Sequence, residues 1–319
     1  MTVYKNNHTD PYFNLASEQY LLDTKDGDIF MLWKNEPSVI IGKNQNAYAE
    51  LNIDFIKKNN IKVVRRLTGG GAVFHDLGNV NFTFITAENN CKALDFKRFT
   101  KPVTDALRHF GVSAELSGRN DITVDGRKIS GNAQCVYNGK IMHHGTLLFS
   151  ADMSHLAGAL NPDPEKFQSK GIKSVRSRVA NISEFADIQI DDFIDYLESS
   201  FGGEVKSLSS KDERAIQKLA DEKYSTWDWN YGKSKEWSAI KKKRFDFGKL
   251  EAKIDATGGI ISSIRLEGDY FGIKPVSELE KTLIGKKLEY DSLTDALSDV
   301  GSYISGSTPE LISDLILGS

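Results

Sequence analysis

Cysteine is scarce in this chain, metal-ligand spacings are missing, and no long apolar run occurs; each shortage argues against a class of function. Cys91 and Cys135 are the only 2 cysteines among 319 residues, and they form no CxxC pair. A disulfide scaffold and a structural zinc site are therefore disfavoured. No H-x-H or H-x-x-x-H pair is present either, which argues against a histidine zinc centre. No apolar run approaches the roughly 18 residues of a membrane span. The opening residues MTVYKNNHTDPYFNLA lack the apolar core of a signal peptide, so a cytoplasmic protein is expected. Lys and Arg number 41 against 44 Asp and Glu, giving net charge −3. That balance supplies no bulk attraction to nucleic acid or to an anionic membrane, although local basic patches remain open. Neither G-x-G-x-x-G opening a helix nor a G-x-x-x-x-G-K-[ST] loop occurs, so the common nucleotide-loop motifs do not apply.

Glycine, by contrast, is concentrated where it matters. Residues 65–84 read RRLTGGGAVFHDLGNVNFTF, with Gly69, Gly70 and Gly71 between a β-branched run ending in Arg65-Arg66 and the apolar Ala72-Val73-Phe74. The pattern predicts strand, tight loop, strand. Side-chain-free backbone can approach a ligand closely and turn its N–H groups toward an anion. The two arginines would add donors suited to carboxylate or phosphate. An ordinary mobile turn has the same composition, and both readings stand.

A helix is predicted over Pro11–Leu22, capped by Asp10, and strands over Ile29–Trp33 and Ser38–Ile41. Thr100-Lys101-Pro102 opens a further helix that Gly111 ends. Asp125-Gly126 and Asn138-Gly139 are two-residue hairpin turns. In the first hairpin Thr123 opposes Lys128, Ile122 opposes Ile129 and Asp121 opposes Ser130. Alternation then separates a core face of Ile122, Val124 and Ile129 from a polar face of Asp121, Thr123, Lys128 and Ser130. That polar face is either solvated surface or the floor of a site. In the second hairpin Cys135 opposes Met142, a setting for a packed thiol, while His143 and His144 point to opposite faces.

The run 166–181, KFQSKGIKSVRSRVAN, is a charged loop, read as solvated or as a lid over a phosphate-bearing ligand. The Lys241–Arg244 run reads as a solvated linker after the aromatic segment Trp227–Tyr231. Beyond it, two strands, a capping box at Ser277–Glu280, an amphipathic helix from Asp291 to Ile304 and a helix capped by Thr308-Pro309 predict a small α+β module.

Six collinear segments together resemble the lipoate-protein ligase A family: DPYFNLASEQYLL (10–22), the glycine segment (65–84), GRNDITVDGRKISGNA (118–133), HHGTLLFSAD (143–152), SKGIKSVRSRVAN (169–181) and WDWNYGK (227–233). The resemblance implies an α+β fold: a catalytic domain over 1–240 with mixed and antiparallel sheets flanked by helices, a linker over 241–248, and a small accessory domain over 249–319. It implies ATP and magnesium as cofactors, lipoate as substrate, and lipoyl-domain proteins as acceptors, among them 2-oxoacid dehydrogenase E2 subunits and the glycine cleavage H protein. By the same resemblance Arg66, Gly71, Ala72, Val73, Phe74, Asn79, Lys128, Lys170, Arg176 and Arg178 would contact ATP or the adenylate. Arg66, Gly69, Gly70, Gly71, His75 and Lys128 would contact lipoate, Lys128 would be catalytic, and Asp121 would hold magnesium. A lipoyl or octanoyl transferase of the same fold, a biotin ligase and a non-catalytic lipoate-binding module are the alternatives.

Overall fold

The computed structural model describes residues 1–90, 92–118, 120–160, 178–231, 239–257 and 259–318. In chain order the larger domain's strands are β1 (Thr2–Lys5), β2 (Ile29–Trp33), β3 (Ser38–Ile41), β4 (Lys62–Arg65), β5 (Val73–His75), β6 (Asn79–Ala87), β7 (Glu115–Ser117), β8 (Asp121–Val124), β9 (Arg127–Tyr137), β10 (Lys140–Leu148) and β11 (Glu204–Ser207). Eight of them form one sheet in the order β11-β1-β2-β6-β10-β9-β8-β7, and β4-β3-β5 form a second. The large sheet is mixed: β1 runs parallel to both neighbours and the remaining pairs are antiparallel.

Helices cover both faces of the large sheet, so β2 is apolar and buried throughout. Phe30 and Leu32 join a core with Phe82, Val103, Leu107 and Phe193 on one face. Met31 and Trp33 join Leu15, Leu21, Ile85 and Tyr224 on the other. Strand β6 alternates Val80, Phe82 and Phe84 with Asn79, Asn81 and Thr83, all buried. Its polar side therefore faces the interior of the protein rather than water.

The Pro11–Thr24 helix begins as expected, with Asp10 accepting from the Tyr12 and Phe13 N–H groups. The next long helix does not. It spans Phe96–His109 from an Asp95 cap, and Pro102 lies inside it, because Phe96 and Phe99 extend the apolar stripe one turn upstream of the expected start. Asn138-Gly139 sets the second hairpin in the anticipated register, with Cys135 opposite Met142 and Ala133 opposite His144. In the first, Asp125 and Gly126 both take positive φ, but a bulge shifts the register between Ile122 and Thr123. Ile122 then faces Ser130, and Asp121 faces Gly131 rather than Ser130. The extra residue keeps Ile129 in the core beside Ile122 and Val124.

The smaller domain is the sheet β12 (Ala239–Phe245), β13 (Gly248–Thr257) and β14 (Ile260–Gly268), covered by helices over Val276–Leu283, Tyr290–Ala296, Val300–Tyr303 and Pro309–Leu317. The basic run expected as a linker is strand β12: Lys241 and Lys242 pair with Ala252 and Glu251. Consecutive cations suit an edge strand because they oppose further strand addition. The capping box expected at Ser277–Glu280 also gives way. That helix starts at Val276, and Glu280 instead accepts from the Leu266 N–H at 2.8 Å. Among the described residues no helix is long and apolar enough to cross a membrane.

Candidate active site

Glycine is enforced at 42 and 69 by close backbone neighbours and at 70 by a left-handed backbone. A Cβ on Gly42 would sit 2.0 Å from the Gly70 carbonyl oxygen, and one on Gly69 would sit 2.5 Å from the Tyr270 carbonyl oxygen. Gly70 has φ +88° and donates its N–H to that same Tyr270 carbonyl at 3.2 Å. The loop is thus pressed between strand β3's end and the smaller domain, with Gly71 open to a cavity of about 410 Å³.

Arg66 frames the loop from within. Its Nε donates to Thr68 Oγ1 at 2.9 Å, Nη1 to the Ile40 carbonyl at 3.1 Å, and Nη2 to the Gly69 and Gly71 carbonyls at 2.7 and 2.8 Å. Burial pushes this guanidinium down to about 10, which still leaves it charged at neutral pH. Of its five N–H groups these bonds occupy four. Arg65 plays another part from the anion donor anticipated above. Its side chain donates to the carbonyls of Gly42, Lys43, Gln45, Trp229 and Asn230, stapling the aromatic 227–230 segment beneath the loop.

On the opposite wall, Lys128 Nζ lies 2.8 Å from Asp121 Oδ1, both half-exposed. The bulge and Gly131 make this pair: a Cβ on Gly131 would stand 3.0 Å from Lys128 Nζ. Of the polar hairpin face, Asp121 and Lys128 line the cavity, whereas Thr123 and Ser130 are buried off its wall. The Lys128 carbonyl accepts from the Ala180 N–H at 2.9 Å, which brings the end of the charged loop, with Arg178, to the cavity rim. Lys170 and Arg176 lie outside the described residues.

The cavity collects Arg66, Gly70, Gly71, Ala72, Val73, His75, Asp121, Lys128 and Arg178 from the sequence reading. Gly69 lies beside it against Tyr270. Phe74 points the other way, into a core with Val39, Ile41 and Ala159, as alternation along β5 requires. Asn79 is fully buried off the cavity wall, and neither of its side-chain polar atoms has a partner. His75 is buried, its imidazole kept neutral by desolvation and then by nearby Arg66, with its pKa pushed down to about 3.

Several lining residues were not singled out from sequence. A buried chain of hydrogen bonds runs from Trp33 Nε1 through Thr83 Oγ1, Glu18 Oε1, the His144 ring and Thr68 Oγ1 to Arg66. It ties the apolar part of the cavity wall, Leu15, Trp33, Ile40 and Val73, to the glycine loop. The alternate polar residues of β6 were the sequence signal for this interior. Asp269, Phe271 and Arg244 come from the smaller domain, and Phe271 packs on Phe96 and Ala133.

Residues 10–202 match the family described as lipoyl protein ligase A/B catalytic domain, and residues 234–316 match the bacterial lipoate protein ligase C-terminus. The chain belongs to the lipoyl protein ligase A/B family. Within that family it is similar to lipoate-protein ligase LplJ of Bacillus subtilis, 45% identical over 97% of this chain and 98% of that protein. A solved structure of LipL1 from P. falciparum in complex with lipoate matches all of this chain and 99% of that one, at TM-score 0.85 and 29% identity. A crystal structure of a lipoate-protein ligase A bound with ATP matches 73% of this chain and 99% of that one, at TM-score 0.62 and 29% identity.

Some acyl transferases work through a cysteine thioester, and Cys135 is poorly placed for it. Its thiol packs against the helix-side core and burial pushes it up to about 12, far from the thiolate a nucleophile needs. Cys135→Ser is expected to keep acyl-transfer activity within about twofold, as measured by product formation; loss of transfer would identify a thioester route.

Proposed function

We propose that the chain is a cytoplasmic, ATP-dependent lipoate-protein ligase. The observation that carries this reading is the juxtaposition, across one cavity, of the Lys128 ammonium, the open backbone of the glycine loop and an apolar slot. In the first half-reaction a lipoate carboxylate oxygen bonds to the α-phosphorus of ATP while the bond to pyrophosphate breaks. In the second, a lysine amine of a lipoyl domain attacks the acyl carbon; an amide forms, a proton leaves the amine, and AMP departs. E2 subunits and H protein are the acceptors this reading names.

Each residue has a task set by charge and reach. Lys128 neutralises charge that grows on the α-phosphate oxygens, and Gly71 to Val73 present backbone without steric hindrance. Arg66 holds that backbone in place and has one N–H left for the ligand. Leu15, Trp33, Ile40 and Val73 take the pentanoyl chain. Phe271 and Asp269 close the cavity from the smaller domain, keeping water from the mixed anhydride. The larger domain, ending before β12, forms the catalytic unit in this proposal, and the smaller domain serves adenylation.

Among the described residues no three carboxylate, imidazole or thiol groups converge on one point. The donor set fits magnesium, which keeps waters and phosphate oxygens and uses one or two carboxylates; Asp121 and Asp269 face the cavity. Magnesium, when bound, would offset charge on the phosphates. Asp121→Asn is expected to raise the magnesium concentration for half-maximal adenylation by roughly tenfold. An unmoved magnesium titration would confine Asp121 to orienting Lys128.

The whole reaction is tested by intact-mass analysis of an apo lipoyl domain incubated with the protein, lipoate and ATP. Gain of one lipoyl group only when both small molecules are present is expected. Modification without ATP would overturn the reading.

A further inference from the structure

Within the proposed ligase cavity, His75 carries an unusual constraint. It is 2% exposed and lines the cavity, and its Nε2 has no protein partner. Its Nδ1 lies 3.1 Å from Asn35 Nδ2. Behind Asn35 stands a chain of buried amides whose orientation can be worked out from one end. Asn14 Nδ2 faces the His8 and Lys34 carbonyls, each at 2.9 Å, and carbonyls only accept. That fixes the Asn14 amide, so its Oδ1 accepts from Asn6 Nδ2 at 3.0 Å, and its two hydrogens are shared among the two carbonyls and Asn35 Oδ1, 2.8 Å away. Reversing Asn35 would set two NH₂ groups against each other. Asn35 therefore donates to His75 Nδ1, and a neutral ring with an accepting Nδ1 must carry its proton on Nε2.

The position of this donor identifies what it meets. Lys128 Nζ folds back beside Gly131, and the neighbouring Asn132 on β9 is level with Leu32 on β2, next to Trp33 and three strands away, roughly 14 Å at about 4.8 Å per spacing. His75 sits edge-on to Trp33 with ring centroids 6.0 Å apart. Both line the one cavity, so a ligand of about that span whose carboxylate met Lys128 would bring its far end to His75. We propose that the Asn6–Asn14–Asn35 chain holds His75 as the Nε2–H tautomer, and that this donor selects the sulfur-bearing ring of lipoate over the methyl end of octanoate. Sulfur accepts a hydrogen bond weakly, whereas a methyl group leaves the buried N–H unpaired. His75 is thus a specificity-determining residue, and Asn35 positions it. This inference rests on the ligase reading.

The test uses the full-length protein with ¹⁵N-labelled histidine, together with adenylation kinetics for lipoate and octanoate. In the wild type, the His75 resonances, assigned by their loss in His75→Phe, should show bare Nδ1 and protonated Nε2 throughout the neutral range. His75→Phe should lower the lipoate-to-octanoate ratio of kcat/KM about tenfold. Asn35→Leu, which leaves the ring in place, should remove the tautomer signature and lower the ratio in the same direction. An Nδ1–H tautomer or an imidazolium in the wild type overturns the proposal, and that result needs no variant to fold. Equal losses for both acids, or an unchanged ratio, also overturn it. A wild-type protein that activates neither acid defeats the ligase reading and with it the selectivity claim, and the tautomer signature tells the two failures apart.

Discussion

Lys128→Ala is expected to slow lipoyl-adenylate formation at least about a hundredfold while leaving the fold intact. The ammonium reaches the cavity from a half-exposed position, held 2.8 Å from Asp121, so its removal opens no hole in the core. What is lost is a preorganised cation where phosphate charge grows, an effect of roughly 3 kcal/mol in the transition state. Single-turnover formation of the adenylate, with thermal melting as the control, measures it. A variant that melts normally and adenylates at the wild-type rate would remove Lys128 from the chemistry.

Arg66→Lys is expected to be nearly as damaging, for a different reason. Lysine keeps the positive charge but cannot reproduce the planar fork that engages Thr68 and the carbonyls of Ile40, Gly69 and Gly71. Leaving two or so of these buried acceptors unpaired costs about 1–3 kcal/mol each. The unfolding free energy should fall by roughly 2–6 kcal/mol, and adenylation on the order of a hundredfold as the loop moves out of register with the ligand. Chemical denaturation and the same single-turnover assay separate the two effects. Full activity in the lysine variant would mean that charge, rather than the frame, is what Arg66 supplies.

The local signals in the sequence were strong where chemistry is local. Asp10-Pro11 placed a helix start, Asn138-Gly139 set a register, and the three glycines marked a loop that tolerates no side chain at 69. Features that depend on a distant partner were harder to read. The bulge that sets Asp121 opposite Gly131 leaves no turn residue or periodicity break, since Ile129 is apolar and buried either way. Arg65 and Arg66 are adjacent and chemically identical, yet one staples the 229–230 backbone and the other frames the glycine loop; only the tertiary fold distinguishes them. Glu18, Thr68 and His144 come together from the N-terminal helix, the glycine loop and strand β10, a convergence that no spacing within one segment encodes. Strand β12 was hidden by its cations, which belong to an exposed edge as readily as to a solvated linker.

The central claim, that this cavity activates lipoate as an adenylate, is tested most directly by isotope exchange. The protein, ATP, magnesium and labelled pyrophosphate are incubated with and without lipoate, in the absence of any acceptor. Because the first half-reaction is reversible and releases pyrophosphate, label should enter ATP only when lipoate is present. Exchange that is absent under these conditions, in a protein that nonetheless transfers acyl groups from a carrier protein without ATP, would contradict the account.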